Sequence, residues 1–225
     1  MADKHYFCSS KILIMASEIL KKLQWRYATK KFDSSKKLPA EKLDILKEAF
    51  NLTATSYGLQ PLKMVVIENE VTKNALVPLT MGQPQVNDCS HVLVLCIEEV
   101  MTSEYIKKYF NKVENVRNTP REILEPFESF LTTSFSEKSP EDIHNWMSKQ
   151  AYLALGNLLT VCAMEEIDAC PIEGFIPEKY DDYLQLKEKG LKSVLVLAVG
   201  YRADDDLFSK MKKVRRGVEK VIIEI

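Results

Sequence analysis

Apolar positions recur with helical spacing along most of this chain and run together in strand-like blocks in only a few places. Ile19, Leu20 and Leu23 share one helical face over residues 17–24. Pro39 suits the first turn of a helix that Leu43, Leu46, Ala49 and Phe50 continue. Residues 63–68 read as a strand, 72–79 as a short helix, and the apolar run 91–98 as a buried strand. Residues 101–133 are polar and helical, interrupted by Pro120 and Pro126. Ser139 with Asp142 three residues on is a capped helix start. The helix it opens, residues 140–166, carries Trp146, Met147, Ala151, Ala154, Leu155, Leu158, Leu159 and Cys162. That stripe marks either the central core helix or a subunit interface. A strand at 169–172, a helix at 177–184, a strand at 193–200 and a final strand at 221–225 complete the pattern.

Few strands among many helices, in mixed order, predict an α+β fold with a sheet sandwiched by helices. At 225 residues, the length favours one domain with a full core. No repeat, low-complexity tract or linker divides it. The first fourteen residues share no pattern with the rest, and an amphipathic run begins at Met15. Residues 1–14 are therefore expected to be a disordered or non-native extension, with residues 15–225 as the single domain.

Lys plus Arg is 31 and Asp plus Glu is 32, for a net charge of −1. A dedicated nucleic-acid binder would show a basic excess. The longest apolar runs, 91–97 and 194–199, fall far short of the roughly 20 residues that span a bilayer. Three of the five cysteines lie in apolar segments, with no C-x-x-C pair, which makes the cytoplasm the expected compartment.

Candidate chemistry narrows by exclusion. The chain has seven glycines, where an average composition of about 7 per cent would give roughly 16. They are too dispersed for a G-x-G-x-x-G turn or a P-loop, so any nucleotide phosphate must be gripped by side chains. The three histidines show no metal-ligand spacing, and no G-x-S-x-G elbow occurs. Metal hydrolysis and acyl transfer are set aside, and no metal is expected. Two basic clusters stand out: Arg26, Lys30 and Lys31 at a helix end, and the run from Lys210 through Lys212 and Lys213 to Arg215 and Arg216. Each is either a solvated face or half of a converging phosphate site. The segment Cys170-Pro171-Ile172-Glu173-Gly174-Phe175 is either a plain turn or a place where Gly174 allows a ligand close approach.

These segments, in this order, resemble the nitroreductase family of flavin enzymes, and more narrowly its oxygen-insensitive NAD(P)H nitroreductase and dihydropteridine reductase branch. The residues that carry the likeness are RYATKKFD near the start, TATSYGLQPLKMVVIE, GQPQVNDCSHVLVLC, WMSKQAYLALGNLL, CPIEGF, and SVLVLAVGYRADDD with the basic KKVRR after it. The resemblance implies a central, mostly antiparallel sheet flanked by helices, in an intertwined homodimer. It implies tightly bound FMN, one per subunit at the interface, and NAD(P)H as co-substrate. Arg26, Lys213 and Arg215 would hold the phosphate, and Lys30 would sit near flavin N1 and O2 as an electrostatic stabiliser. Tyr27 and Ala28 fall in the same stretch. Pro171, Ile172, Glu173 and Gly174 would lie against the ring. Thr55 and Ser56 match the stretch supplied by the opposite subunit.

Some positions depart from the familiar pattern. Ala28 stands where a serine often binds phosphate. Gly58 and Gly82 stand where Asn is common, and Leu62 replaces a common Trp in the pocket wall. Gln83 and Gln85 can still offer amide contacts to the flavin's pyrimidine edge. The implied activity is ping-pong hydride transfer through flavin N5 to nitroaromatics, quinones or pteridines, with no catalytic protein acid or base. Phe127 and Phe130, with Phe135, form either a lid over the substrate pocket or ordinary core. The rival readings are a specialised flavin enzyme of this fold (a dehalogenase or flavin-fragmenting type) and a non-enzymatic flavin or nucleic-acid binder. The implied partners are a second copy of the chain and a small-molecule electron acceptor, with neither nucleic acid nor membrane.

Overall fold

The structure is a computed structural model and describes residues 17–225. The expected extension, residues 1–14, lies outside the described residues. The sheet has four strands in the order β1-β2-β4-β3, every neighbouring pair antiparallel. These strands are β1 Leu62–Ile67, β2 His91–Glu98, β3 Asp168–Ile172 and β4 Leu191–Gly200. Both central strands are covered on two faces, which is why they read as continuous apolar runs rather than alternating ones. A one-residue bulge at Val194 breaks the β2–β4 register, because Leu95 pairs with Leu195 while Cys96 pairs with Ser193.

The main helices are α1 Glu18–Trp25, α2 Ala40–Asn51, α3 Glu70–Leu76, α4 Gln85–Asp88, α5 Ser103–Arg117, α6 Arg121–Ser136, α7 Pro140–Met164 and α8 Pro177–Tyr183. One sheet face packs Leu93, Leu95, Leu195 and Leu197 against Met147, Ala151, Leu155 and Leu158 of α7. The other packs Val92, Val94, Val196 and Ala198 against Leu76 of α3 and Tyr180 of α8. Leu59, Ile106, Phe110, Leu131 and Phe135 form a smaller core beneath the α5–α6 excursion.

Three local expectations need correction. Pro126 does not interrupt a helix: it lies inside α6, costing one backbone hydrogen bond, while Pro120 sits at that helix's N-terminal boundary. The helix expected at 72–79 begins earlier, where Asn69 Oδ1 accepts from the Thr72 amide at 2.9 Å. It ends at Leu76, because Pro78 starts a separate 3-10 turn. The expected final strand at 221–225 does not form. A short helical turn, α9 Val218–Val221, leads instead into exposed residues with no strand partner. Its β-branched composition supplies strand propensity, but a ladder needs a neighbour and the described residues offer none there.

A basic cleft beside the sheet edge as the candidate functional site

The chain leaves α1 at Arg26 and runs antiparallel to nothing until Ala28, which forms a parallel bridge to Ala169 of β3; the Thr29 amide also donates to the Ala169 carbonyl at 3.2 Å. Segment 26–30 is thus laid beside the strand that leads into Pro171–Gly174. Opposite it lies the segment that follows β4, and between the two opens a cleft of about 480 Å³. Arg26, Tyr27, Ala28 and Lys30 line one wall; Lys212, Lys213 and Arg215 line the other. Both sequence-distant basic clusters therefore do converge.

Asp206 clamps the walls together. Its buried carboxylate accepts from the Tyr27 hydroxyl at 2.8 Å and from the amides of Lys30, Lys31 and Phe208 at 2.9, 3.1 and 3.0 Å. Burial alone would raise its pKa. The hydrogen bonds from Lys30, Tyr27, Lys31 and Phe208 outweigh that and hold it below the usual carboxylate range. Burial, then the bond to Asp206, pushes the Tyr27 hydroxyl well up, so it stays a donor. Behind this wall the Arg202 guanidinium lies 4.3 Å from the Trp25 ring centre and 4.6 Å from that of Tyr27. The nearly buried Asp168 pairs with it at 2.6 Å. Asp206, Asp168 and Arg202 hold the cleft's shape, and none was singled out from sequence. Asp206 ends an Asp204–Asp206 run that looks like solvated surface until the fold buries one member.

The cations themselves are crowded. Arg26 is half-buried, and its Nε is fully buried without a hydrogen-bond partner among the described residues. Its pKa is lowered by burial first and by Arg215 second. Lys213 donates from Nζ to the Arg26 carbonyl, and its pKa is lowered by burial, then by Arg26 and Arg215. Three mutually repelling charges and an orphaned guanidinium N–H form a site that an anion would stabilise.

On the sheet side, Pro171 occupies the edge strand, where its missing N–H costs no ladder bond. Ile172 is buried, and Glu173 is exposed and accepts from Tyr152 Oη of α7. Gly174 is not at a positive φ; close approach is what selects glycine there. A Cβ would lie 3.1 Å from Gln83 Nε2 and 3.4 Å from Met81 Sδ. Gln83 Nε2 donates to the Gly174 carbonyl at 2.9 Å and to the Thr80 carbonyl at 3.2 Å, so that amide nitrogen braces the 171–174 turn. Gln85 is buried, and its Oε1 has no partner among the described residues. Lys30's charge acts on Cys170, whose thiol burial pushes up and Lys30 pulls back.

The remaining predicted residues lie apart from the basic cleft in this chain. Thr55 and Leu62 line a second cleft, and Ser56 and Gly58 form the turn beside it. Gln150, buried on α7, accepts from the Ser56 amide at 2.8 Å, a brace the sequence does not advertise. Tyr57, Gly58 and Gln60 all have positive φ, at 58°, 71° and 51°. Such clustered strain is typical of functional segments. Phe127 and Phe130 are exposed on α6 and stack at 6.2 Å, with Tyr57 edge-on to Phe127 at 6.3 Å.

The sequence and the fold are similar to those of known proteins. The model of the Nitroreductase family matches residues 23–201. The chain is 32% identical over 208 residues to the oxygen-insensitive NAD(P)H nitroreductase of Salmonella typhimurium, covering 89% of this chain and 96% of that protein. Among solved structures, a nitroreductase family protein from Streptococcus pneumoniae superposes with a TM-score of 0.77 at 23% identity, covering 92% of this chain and 100% of that one. An assigned nitroreductase from Exiguobacterium sibiricum, solved in complex with FMN, gives 0.79 at 20% identity, covering 93% and 98%. The family model over most of the chain, the relative at 32% identity and the shared antiparallel-sheet fold agree: this protein belongs to the nitroreductase family.

Proposed function

We propose that the chain is an FMN-dependent NAD(P)H oxidoreductase that works as a homodimer and reduces nitroaromatics, quinones or pteridines in a ping-pong cycle. The observation that carries this reading is the crowded convergence of Arg26, Lys213 and Arg215, with the Arg26 Nε–H buried in the cleft wall without a partner among the described residues. That donor set fits a phosphate monoester, and it replaces the glycine-rich nest the chain lacks. FMN, when bound, supplies the hydride chemistry at its N5 atom. Arg26, Lys213 and Arg215 would hold its phosphate, and Lys30 would place a fixed positive charge beside the pyrimidine edge. Gln85 would offer its free Oε1 as an acceptor to a ring N–H. Gly174 keeps the 171–174 backbone bare enough for a planar ring to lie against it. NAD(P)H and the acceptor would take turns on one surface, so neither needs a dinucleotide fold.

The dimer is supported by apolar surface left open on a single chain. Ile19, Leu20 and Leu23 of α1, Tyr152 and Leu153 of α7, and Ile222 and Ile223 of the tail are all exposed. In a dimer, Thr55 and Ser56 of one subunit would complete the basic cleft of the other.

The test is purification and flavin release. The protein should be yellow and release FMN on denaturation. Arg215→Ala and Lys213→Ala should each weaken FMN binding by about 10- to 100-fold, as the loss of a charge-assisted hydrogen bond implies. Lys212→Ala should do markedly less. A colourless protein that cannot be reconstituted, or equal effects of all three variants, overturns the reading.

A further inference from the structure

The second cleft, of about 360 Å³, lies between α5 and the segment joining α2 to β1. Its α5 wall is Tyr105, Lys108, Tyr109 and Lys112, spaced i, i+3, i+4 and i+7, so that one helix face alternates aromatic ring and ammonium. Lys63 adds a third cation from β1. Among the described residues these three lysines have no carboxylate within ion-pair distance, and no acidic side chain lines the cleft. In a protein of net charge −1 this is a local concentration of positive charge. The opposite wall is apolar, from Phe50, Leu59 and Leu62.

The tyrosines are fixed in place. Tyr105 Oη reaches the Leu59 and Gln60 carbonyls at 3.0 and 2.9 Å. Burial, with Glu98 behind it, pushes that hydroxyl up to about 12, so it remains a donor. Tyr109 packs directly over Gly58, whose missing Cβ would fall 2.4 Å from the Tyr109 hydroxyl oxygen. The strained 57–60 turn and α5 are thus coupled, and the cleft between them is built rather than incidental.

We propose that this cleft is a binding site for a nucleoside phosphate, with the base held between the tyrosine rings and the apolar wall and the phosphate held by Lys63, Lys108 and Lys112. The volume sits at the lower end of the range for ligand pockets, large enough for a mononucleotide and too small for a whole dinucleotide. Compact ammonium charges suit a phosphate approached from several directions. The site shares no lysine or arginine with the Arg26 cleft; Thr55 at its border is the one lining residue that the proposed dimer would also turn toward the partner's basic cleft.

Isothermal titration of the purified full-length protein with 5′-AMP tests it, with adenosine and inorganic phosphate as separate arms. AMP should bind saturably and at least about tenfold more tightly than either fragment, and more weakly as salt rises. The Lys108→Glu/Lys112→Glu double variant should lose at least about tenfold in AMP affinity, while Lys179→Glu, on an exposed face elsewhere, should not. Steady-state kinetics separates the two sources of such a phosphate. If the ligand is the adenosine end of a nicotinamide dinucleotide, the double variant raises KM for NAD(P)H at unchanged kcat. If it is a free nucleotide, that KM stays put. Absence of saturable AMP binding, or binding indifferent to the double charge reversal, overturns the site. A protein that is colourless yet still binds AMP through Lys108 and Lys112 would overturn the flavin reading and leave this one standing.

Discussion

Asp206 shows how one buried acid can organise a basic cleft. Four donors converge on its carboxylate from both walls, and none of them is a charged side chain. The sign of its pH effect follows from its lowered pKa. A carboxylate more acidic in the folded than in the unfolded state adds stability above the unfolded value, and that stability is lost as the pH falls through the folded one. Asp206→Asn keeps the shape and removes the charge. It should cost about 1–3 kcal/mol at neutral pH, the range for weakening a buried charged hydrogen-bond cluster. Because the wild type alone loses this contribution on acidification, the gap should be narrower at an acid pH below the unfolded carboxylate value than at neutral pH. Urea unfolding of both proteins at the two pH values measures it, and a constant gap refutes the assignment. At the same scale, Gly58 and Gly82 sit at φ +71° and +73°, the left-handed region that favours glycine.

Elements were legible where their own periodicity settled the matter. The stripe on α7 named its core residues in advance, because a helix lying across a sheet must bury one face continuously. Leu158, fully buried there against the sheet, is a direct measure of that packing. Leu158→Ala should destabilise the protein by about 2–5 kcal/mol in denaturant titration, and a loss below about 1 kcal/mol would mean that α7 is not a core helix. β2 and β4 were equally readable as apolar runs. The candidate phosphate cations Arg26, Lys213 and Arg215 stood out only through what the family resemblance implies, since charge runs look alike whether solvated or paired. What stayed illegible depends on distant partners. Pro126 is tolerated because α6 loses a single bond there, the 221–225 strand fails for want of a neighbour, and Gln150 looks like any polar helix residue until Ser56 meets it. The split of the candidate residues is equally invisible in sequence. Arg26 and Lys213 face one cleft, while Thr55 and Leu62 face another.

At the scale of the whole molecule that split argues for association. A single chain presents a basic cleft lined by neither Thr55 nor Ser56, a strained 57–60 turn and an exposed apolar tail. If the subunits pair so that Thr55 and Ser56 of one close the Arg26 cleft of the other, flavin affinity and dimer stability are thermodynamically linked. Each then favours the other by the same free energy. Charging the tail separates these quantities from simple unfolding, because Ile222 and Ile223 are exposed in the single chain and removing them costs it no core. Ile222→Asp/Ile223→Asp should shift sedimentation toward monomer at low micromolar protein and release FMN in parallel, with α-helical circular dichroism unchanged. Added FMN should drive the variant back toward dimer. A variant that sediments as monomer yet holds FMN as tightly as the wild type would show that each subunit closes its own cleft. The role given to Thr55 and Ser56 would then fall, while the phosphate grip of Arg26, Lys213 and Arg215 would remain.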